Sequence, residues 1–283
     1  MRGGPMKTKD VKVCILRIEG TNCEDETCAA FRLIGTSPEI VHLKQLTGPC
    51  PADLRRNLND YHILVIPGGF SAGDYVRAGA IFAARMKSTL SDDLKKFVHA
   101  EKPIIGICNG FQVLVELGML PALDGVMSDS AQAALATNES GRFECIPTLL
   151  KVESEGKCVF TRKMKRGKIV MFPSAHAEGK FMLPAGREEY MLAKLEENDQ
   201  IVFRYVDEVG SYAGYPWNPN GSLKNIAGIC NPLGTVLGLM PHPERAFFRY
   251  NHPDWTRTRL SPEDPGDGRA VFESVVEYVT KKF

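Results

Sequence analysis

Three side chains in this sequence have types and spacing suited to acyl transfer. Cys108 stands in Gly106-Ile107-Cys108-Asn109-Gly110, after the short apolar run Ile104–Ile107 and before Phe111, Leu114 and Val115 at helical spacing. A cysteine at a strand-to-helix turn, with glycine two residues to either side, has the pattern of a nucleophile elbow with sulfur in place of the serine oxygen. The positive end of the helix that follows favours thiolate over thiol. His242 and Glu244, in Pro241-His242-Pro243-Glu244-Arg245, supply the remaining groups. Side chains alternate along a strand, so a His and a Glu two residues apart at its end project the same way. Prolines on both sides of His242 restrict its backbone. His242 is then placed to take the thiol proton and later protonate a leaving group, with Glu244 fixing its tautomer. Each feature alone has a plainer reading, a buried structural cysteine or an incidental His–Glu pair. Their combination is what argues for covalent catalysis.

The elements that must position these groups follow from the pattern. Val11–Ile18 reads as a first strand. Thr21 and Glu24 match a capping box for a helix carrying Thr27, Ala30, Phe31 and Ile34 and ending at Gly35. Glu39–Leu43 and Ile63–Ile66 suit two further strands, and Ala78–Leu90 a helix. Ser91-Asp92-Asp93 then caps another helix with Leu94, Phe97 and Val98, leading to the Cys108 strand. Strand, helix and strand with short connections predict an α/β fold, a doubly wound and mostly parallel sheet flanked by helices. Gly125–Ala134 reads as a loop. Beyond it Cys145–Val152, Lys168–Phe172, Ile201–Tyr205, Asn225–Cys230 and Val236–Met240 are strand-like and separated by turns, so added antiparallel strands are expected. Ala270–Thr280 closes the chain as an amphipathic helix. A leader over residues 1–10, one domain over 11–283 and a tail over 250–283 complete the expected organisation.

Pro67-Gly68-Gly69-Phe70-Ser71-Ala72-Gly73-Asp74 follows the third strand. It lacks the ending of a Walker loop and the spacing of a dinucleotide fingerprint. Its paired glycines do allow close backbone approach and free N–H groups at the carboxyl end of a strand, where such sheets bind ligands. The formal charge of +1 gives no electrostatic reason to expect nucleic acid or an anionic membrane. No apolar run reaches transmembrane length and no signal peptide opens the chain. The eight cysteines are scattered without a C-x-x-C pair, and Cys23 and Cys28 would not share a helix face. No metal site and a reducing, cytoplasmic setting are therefore expected.

With Pro67-Gly68-Gly69-Phe70, Gly106–Gln112 and Pro241–Glu244 together, the sequence resembles the class I, triad-type glutamine amidotransferases. Further stretches occur in order: Asn138-Glu139-Ser140-Gly141-Arg142-Phe143, Ala175-His176-Ala177-Glu178-Gly179, Asn218-Pro219-Asn220-Gly221-Ser222 and Ile226-Ala227-Gly228-Ile229. That set is similar to one subfamily, the glutaminase subunits of phosphoribosylformylglycinamidine synthases, over about residues 11 to 250. The resemblance implies a flavodoxin-like core. It implies that Cys108 forms a glutamyl thioester, that the N–H groups of Phe70 and Asn109 make the oxyanion hole, and that Gly68, Gly69, Gln112, Asn138, Ser140, Arg142 and Phe143 bind substrate. His176 is assigned to the pocket or a partner interface rather than to chemistry. The implied partners are L-glutamine, a synthetase subunit carrying ATP and Mg, and a small accessory subunit. The resemblance also implies no cofactor in this chain. One departure is Glu19-Gly20-Thr21-Asn22-Cys23, where relatives carry a Pro-Gly turn before Asn-Cys. Two rival readings are a triad glutaminase serving another synthetase and a catalytically silent scaffold subunit of the same fold. Intact Cys108, His242 and Glu244 argue against the second.

Overall fold

A computed structural model describes residues 6–257 and 259–283. Of the leader, residues 1–5 lie outside the described residues, and Thr8–Asp10 forms a short 3-10 turn. The chain runs β1 (Lys12–Arg17), α1 (Glu24–Leu33), β2 (Ser37–His42), α2 (Leu43–Thr47), β3 (Ile63–Ile66), α3 (Ala80–His99), β4 (Ile104–Ile107), α4 (Asn109–Glu116) and β5 (Ala134–Ala136). It continues through β6 (Glu144–Val152), β7 (Ile169–His176), β8 (Lys180–Met182), α5 (Glu188–Glu197), β9 (Ile201–Val206), β10 (Ile226–Cys230), β11 (Val236–Leu239) and α6 (Arg269–Lys282).

One sheet of nine strands carries the site, in the order β2-β1-β3-β4-β11-β10-β9-β6-β7. Its first five strands are mutually parallel, and their order is that of the flavodoxin-like doubly wound sheet. The last four add antiparallel pairings. Strands β3, β4 and β11 are buried along their whole length, as strands covered by helices on both faces must be. Phe31 of α1 meets Phe272 of α6 edge-on at 5.1 Å, while α3 packs on α4. Proline appears only where the ladder tolerates it. Pro38 and Pro173 lie on the two outer strands, and Pro147 lies in β6 beyond the reach of β9.

Several expectations change. Residues 80–99 form one helix, not two, because nothing interrupts it at Ser91-Asp92-Asp93. Phe82, Ala83, Met86, Leu90, Leu94, Phe97 and Val98 keep a single buried stripe at helical spacing. The first residue of α1 is Glu24, after Cys23, so Thr21 is not the cap. Its hydroxyl donates instead to Ile18 O at 2.9 Å, and its backbone bridges Gly69. Helix α5 and the small β5–β8 sheet are additions. Strand β7 runs on to His176 rather than stopping at Phe172.

Candidate active site

The elbow is built by close approach. A side chain at Gly110 would overlap Ile66 O, and one at Gly106 would overlap Gly110 O. Both glycines are required for α4 to leave the sheet this near to β3. Cys108 absorbs the turn with φ 53° and ψ −107°, a costly conformation for a residue with a Cβ and one that clusters at functional sites. Its N–H donates to Leu239 O at 2.8 Å, which fixes the elbow to the end of β11. Asn109 braces it from the other side: Nδ2 donates to Gln112 Oε1 at 2.9 Å, and Oδ1 accepts from Ser71 N at 3.4 Å.

β11 is the parallel neighbour of β4, so the residues that follow it emerge beside Cys108. His242 is 2 % exposed and Glu244 4 %, with Nδ1 and Oε1 2.6 Å apart. Burial alone would push the imidazole down, but the Glu244 carboxylate, Cys108 and contacts to Cys108 and Cys23 hold it well above its ordinary value. Nε2 is buried with no hydrogen-bond partner among the described residues. With the ring neutral, that nitrogen is the acceptor a general base needs toward a thiol proton.

The tip of β7 reaches the same place. Pro173 O accepts from His242 N at 2.8 Å, and Ala175 O lies 3.5 Å from Cys108 Sγ. The tail closes over the loop after His242. Gly266 N and Gly268 N donate to Phe247 O and Ala246 O, both at 2.8 Å, and a side chain at Gly268 would overlap Pro243 O.

The substrate-side assignments fare unequally. Gly68 faces the centre, since a Cβ there would stand 2.8 Å from His242 Cε1 and 3.4 Å from Cys108 Cβ. The N–H of Asn109, at the N-terminus of α4, has no hydrogen-bond partner among the described residues and remains available to an oxyanion. The N–H of Phe70 is not available. It donates to Gly20 O at 2.8 Å, because Gly69 and Thr21 pair as a short bridge, so its place in the oxyanion hole is withdrawn for this conformation. Asn138 is likewise committed: Nδ2 donates to Arg142 O and His176 O, and Oδ1 faces His176 Nδ1 and accepts from Gly179 N. Its side chain ties the 138–142 turn to the end of β7. Gln112 Nε2 donates to Glu178 O at 2.5 Å. Ser140, Arg142 and Phe143 are exposed, and the Phe143 ring lies 6.2 Å from that of Phe70. The Arg142 guanidinium makes no hydrogen bond or ion pair among the described residues. Glu139 and Ser140 line a cavity of about 370 Å³ with Tyr215 and Asn218 that none of Cys108, His242 or Glu244 borders.

His176 is a buried second imidazole. Nδ1 faces Asn138 Oδ1 at 3.1 Å and Nε2 faces Asn220 Nδ2 at 3.5 Å, which fixes the neutral tautomer with its proton on Nδ1. Burial first, then the charge of His242, pushes it down to about 4. Sequence reasoning missed Cys23, which lies 1 % exposed beside His242 and Glu244, with its sulfur 3.0 Å from an Arg245 nitrogen. In the sequence its place after Asn22 signals only a helix start. Also missed was Asp74, pushed up to about 6 by burial and by Glu178.

A family description of CobB/CobQ-like glutamine amidotransferase domains matches residues 10–279. A phosphoribosylformylglycinamidine synthase subunit PurQ of Archaeoglobus fulgidus is 57% identical over 279 residues, covering 98% of this chain and 100% of that protein. The subunit of the same name from Methanosarcina acetivorans is 42% identical, covering 96% and 100%. Among solved structures, that of PurLQS from Thermotoga maritima superposes with a TM-score of 0.69 at 30% identity, covering 95% of this chain and 99% of the other. A glutamine amidotransferase from Thermotoga maritima, at 18% identity and a TM-score of 0.52, shares the fold over 96% and 99%.

Proposed function

The chain belongs to the CobB/CobQ-like glutamine amidotransferase domain family, and from that premise we propose that it is the glutaminase subunit of a phosphoribosylformylglycinamidine synthase, acting in purine biosynthesis. The observation that carries the chemistry is the end of two adjacent parallel strands. β4 delivers Cys108 in a strained turn, and β11 delivers a buried His242–Glu244 pair beside it. Near-complete coverage of relatives that bear the subunit's name supports the choice of pathway.

The steps follow from the groups present. Cys108 gives its proton to His242 Nε2 and attacks the side-chain amide carbon of glutamine. The tetrahedral oxyanion is met by Asn109 N–H and the positive end of α4. His242 returns the proton to the departing nitrogen, ammonia leaves, and a glutamyl thioester remains. Water, deprotonated by the same imidazole, then releases glutamate and restores the thiol. Glu244 stabilises the imidazolium that forms at each half-step.

Ammonia is delivered to a synthetase subunit, which carries ATP and Mg and converts formylglycinamide ribonucleotide to formylglycinamidine ribonucleotide. A small accessory subunit completes the assembly, a multi-subunit reading supported by the superposition on PurLQS. The setting is cytoplasmic, a reading supported by eight unpaired cysteines. Among the described residues no helix is long and apolar enough to cross a membrane. The test is nitrogen bypass: with Cys108→Ala the complex should lose glutamine-dependent synthesis and keep synthesis from ammonium salt. An assembled variant complex that has lost both nitrogen sources would refute the assignment.

A further inference from the structure

We infer that Cys23, His242 and Glu244 form a binding site for a thiophilic divalent cation, zinc, and that its occupancy silences the triad. One ligand atom from each of these buried residues lies within 4.8 Å of the others. Sulfur, imidazole nitrogen and carboxylate oxygen are the donors zinc takes, whereas magnesium and calcium prefer oxygen alone. A second observation points the same way. Glu244 Oε2 is buried with no hydrogen-bond partner among the described residues, and the side chain is 0% exposed. A buried carboxylate oxygen without a donor is costly, and a cation would relieve it.

The surroundings are already organised. Cys23 caps α1 and its N–H reaches Gly68 O at 3.4 Å. A side chain at Gly68 would stand 3.0 Å from the Cys23 sulfur and 2.8 Å from His242 Cε1, so glycine keeps the space between them open. Arg245 places one nitrogen 3.0 Å from that sulfur and is held by Glu26 at 3.1 Å. Its positive charge opposes a free cation, but an N–H donor to sulfur is also the outer-shell partner that steadies a metal-bound thiolate.

Binding balances without redox chemistry. Cys23 releases its thiol proton, now directed to Asn22 Oδ1 at 3.2 Å, to solvent. The imidazole moves its proton from Nδ1, the nitrogen facing Glu244, to the otherwise vacant Nε2 and turns the Nδ1 lone pair to the metal. Glu244 exchanges that N–H for the metal. An imidazole protonated on Nε2 cannot accept from Cys108, so occupied chains are inactive although the nucleophile is untouched.

The test uses the full chain with zinc and, as a spectroscopic probe, cobalt(II) alone. Cys108→Ala should take up one equivalent of either ion and show a sulfur-to-cobalt charge-transfer band. Adding Cys23→Ala, or Cys23→Ser if the alanine variant does not fold, should abolish the band and weaken binding by roughly tenfold or more. Zinc should inhibit the wild-type chain reversibly by chelator, and Cys23→Ala should need about tenfold more zinc for equal inhibition. No uptake by Cys108→Ala, or equal inhibition with and without Cys23, would overturn the inference and place any zinc effect on Cys108. Inhibition presupposes the glutaminase reading. Uptake does not, so failure of one is distinguishable from failure of the other.

Discussion

Two buried histidines sense each other's charge across the candidate site, one at the end of the parallel half of the sheet and one at the end of the antiparallel half, and they are built to opposite ends. His242 has a carboxylate on Nδ1 and no protein partner on Nε2, and the carboxylate favours its charged form. His176 has amides on both nitrogens and no acid, which keeps it neutral. Burial is shared, so burial alone does not decide whether an imidazole can charge. The partner on the far nitrogen does, by deciding whether the imidazolium has a counter-charge.

The largest expected effect breaks the comparison at its centre. Cys108→Ala should leave no measurable glutamine hydrolysis, because neither histidine has a thiol to activate. His242→Ala should come next, with kcat down on the order of 10⁴-fold or more. Glu244→Gln should cost roughly tenfold to a hundredfold less than that, since an amide still orients the ring while failing to stabilise its charge. If Glu244→Gln were harmless, the counter-charge argument would fail. His176→Gln should stay within about tenfold of wild-type kcat, because glutamine can reproduce its two amide contacts. A collapse equal to that of His242→Ala, in a variant with unchanged melting temperature, would make His176 a second base.

Acid should separate the two regions in stability as well. The folded value of His176, about 4, lies below the ordinary 6.5, so between these values the unfolded chain binds more protons. Stability from this group is full above pH 6.5 and falls as pH drops toward 4, by about 3 kcal/mol in all. Asp74 has the opposite sign: its folded value of about 6 exceeds the ordinary 3.8, so its contribution falls as pH rises from 4 to 6. Denaturant midpoints across that range should lose their acid sensitivity in His176→Gln and become more acid-sensitive in Asp74→Asn. Unchanged slopes in both would mean that neither group titrates with folding.

What was legible in the sequence was what local chemistry specifies. Cys108 announced itself through glycines that no other residue could replace, and His242 through prolines and a glutamate two residues on. Strands β3, β4 and β11 read as apolar runs because both their faces are buried. The rest depended on tertiary choices. Ser91-Asp92-Asp93 has the chemistry of a cap but lies on the solvent side of a stripe that never breaks, so α3 runs through it. Phe70 N–H was offered to substrate by its place in a Gly-Gly turn, yet Gly20, far earlier in the chain, accepts it. The resemblance alone implies a substrate role for Asn138, and four contacts within the protein leave its side chain little to give. Cys23 gave no signal, because its nearness to His242 is made by two loops distant in sequence.

The position of β11 has a consequence for the order of manufacture. This strand lies between β4 and β10 in the middle of the sheet, yet among the strands it is synthesised last. A chain still on the ribosome with residues up to 230 exposed carries Cys108, the Gly-Gly turn and α4, but neither His242 nor Glu244. The elbow itself is unfinished, since the Cys108 N–H awaits Leu239 O. Closing contacts this far apart along a chain is slow relative to forming local ones. Hydrolytic competence therefore waits until β11 and the His242 loop have joined the sheet. Stalled chains ending before Val236 should show Cys108 no more reactive toward an alkylating agent than exposed Cys145, with the advantage appearing only once β11 has emerged.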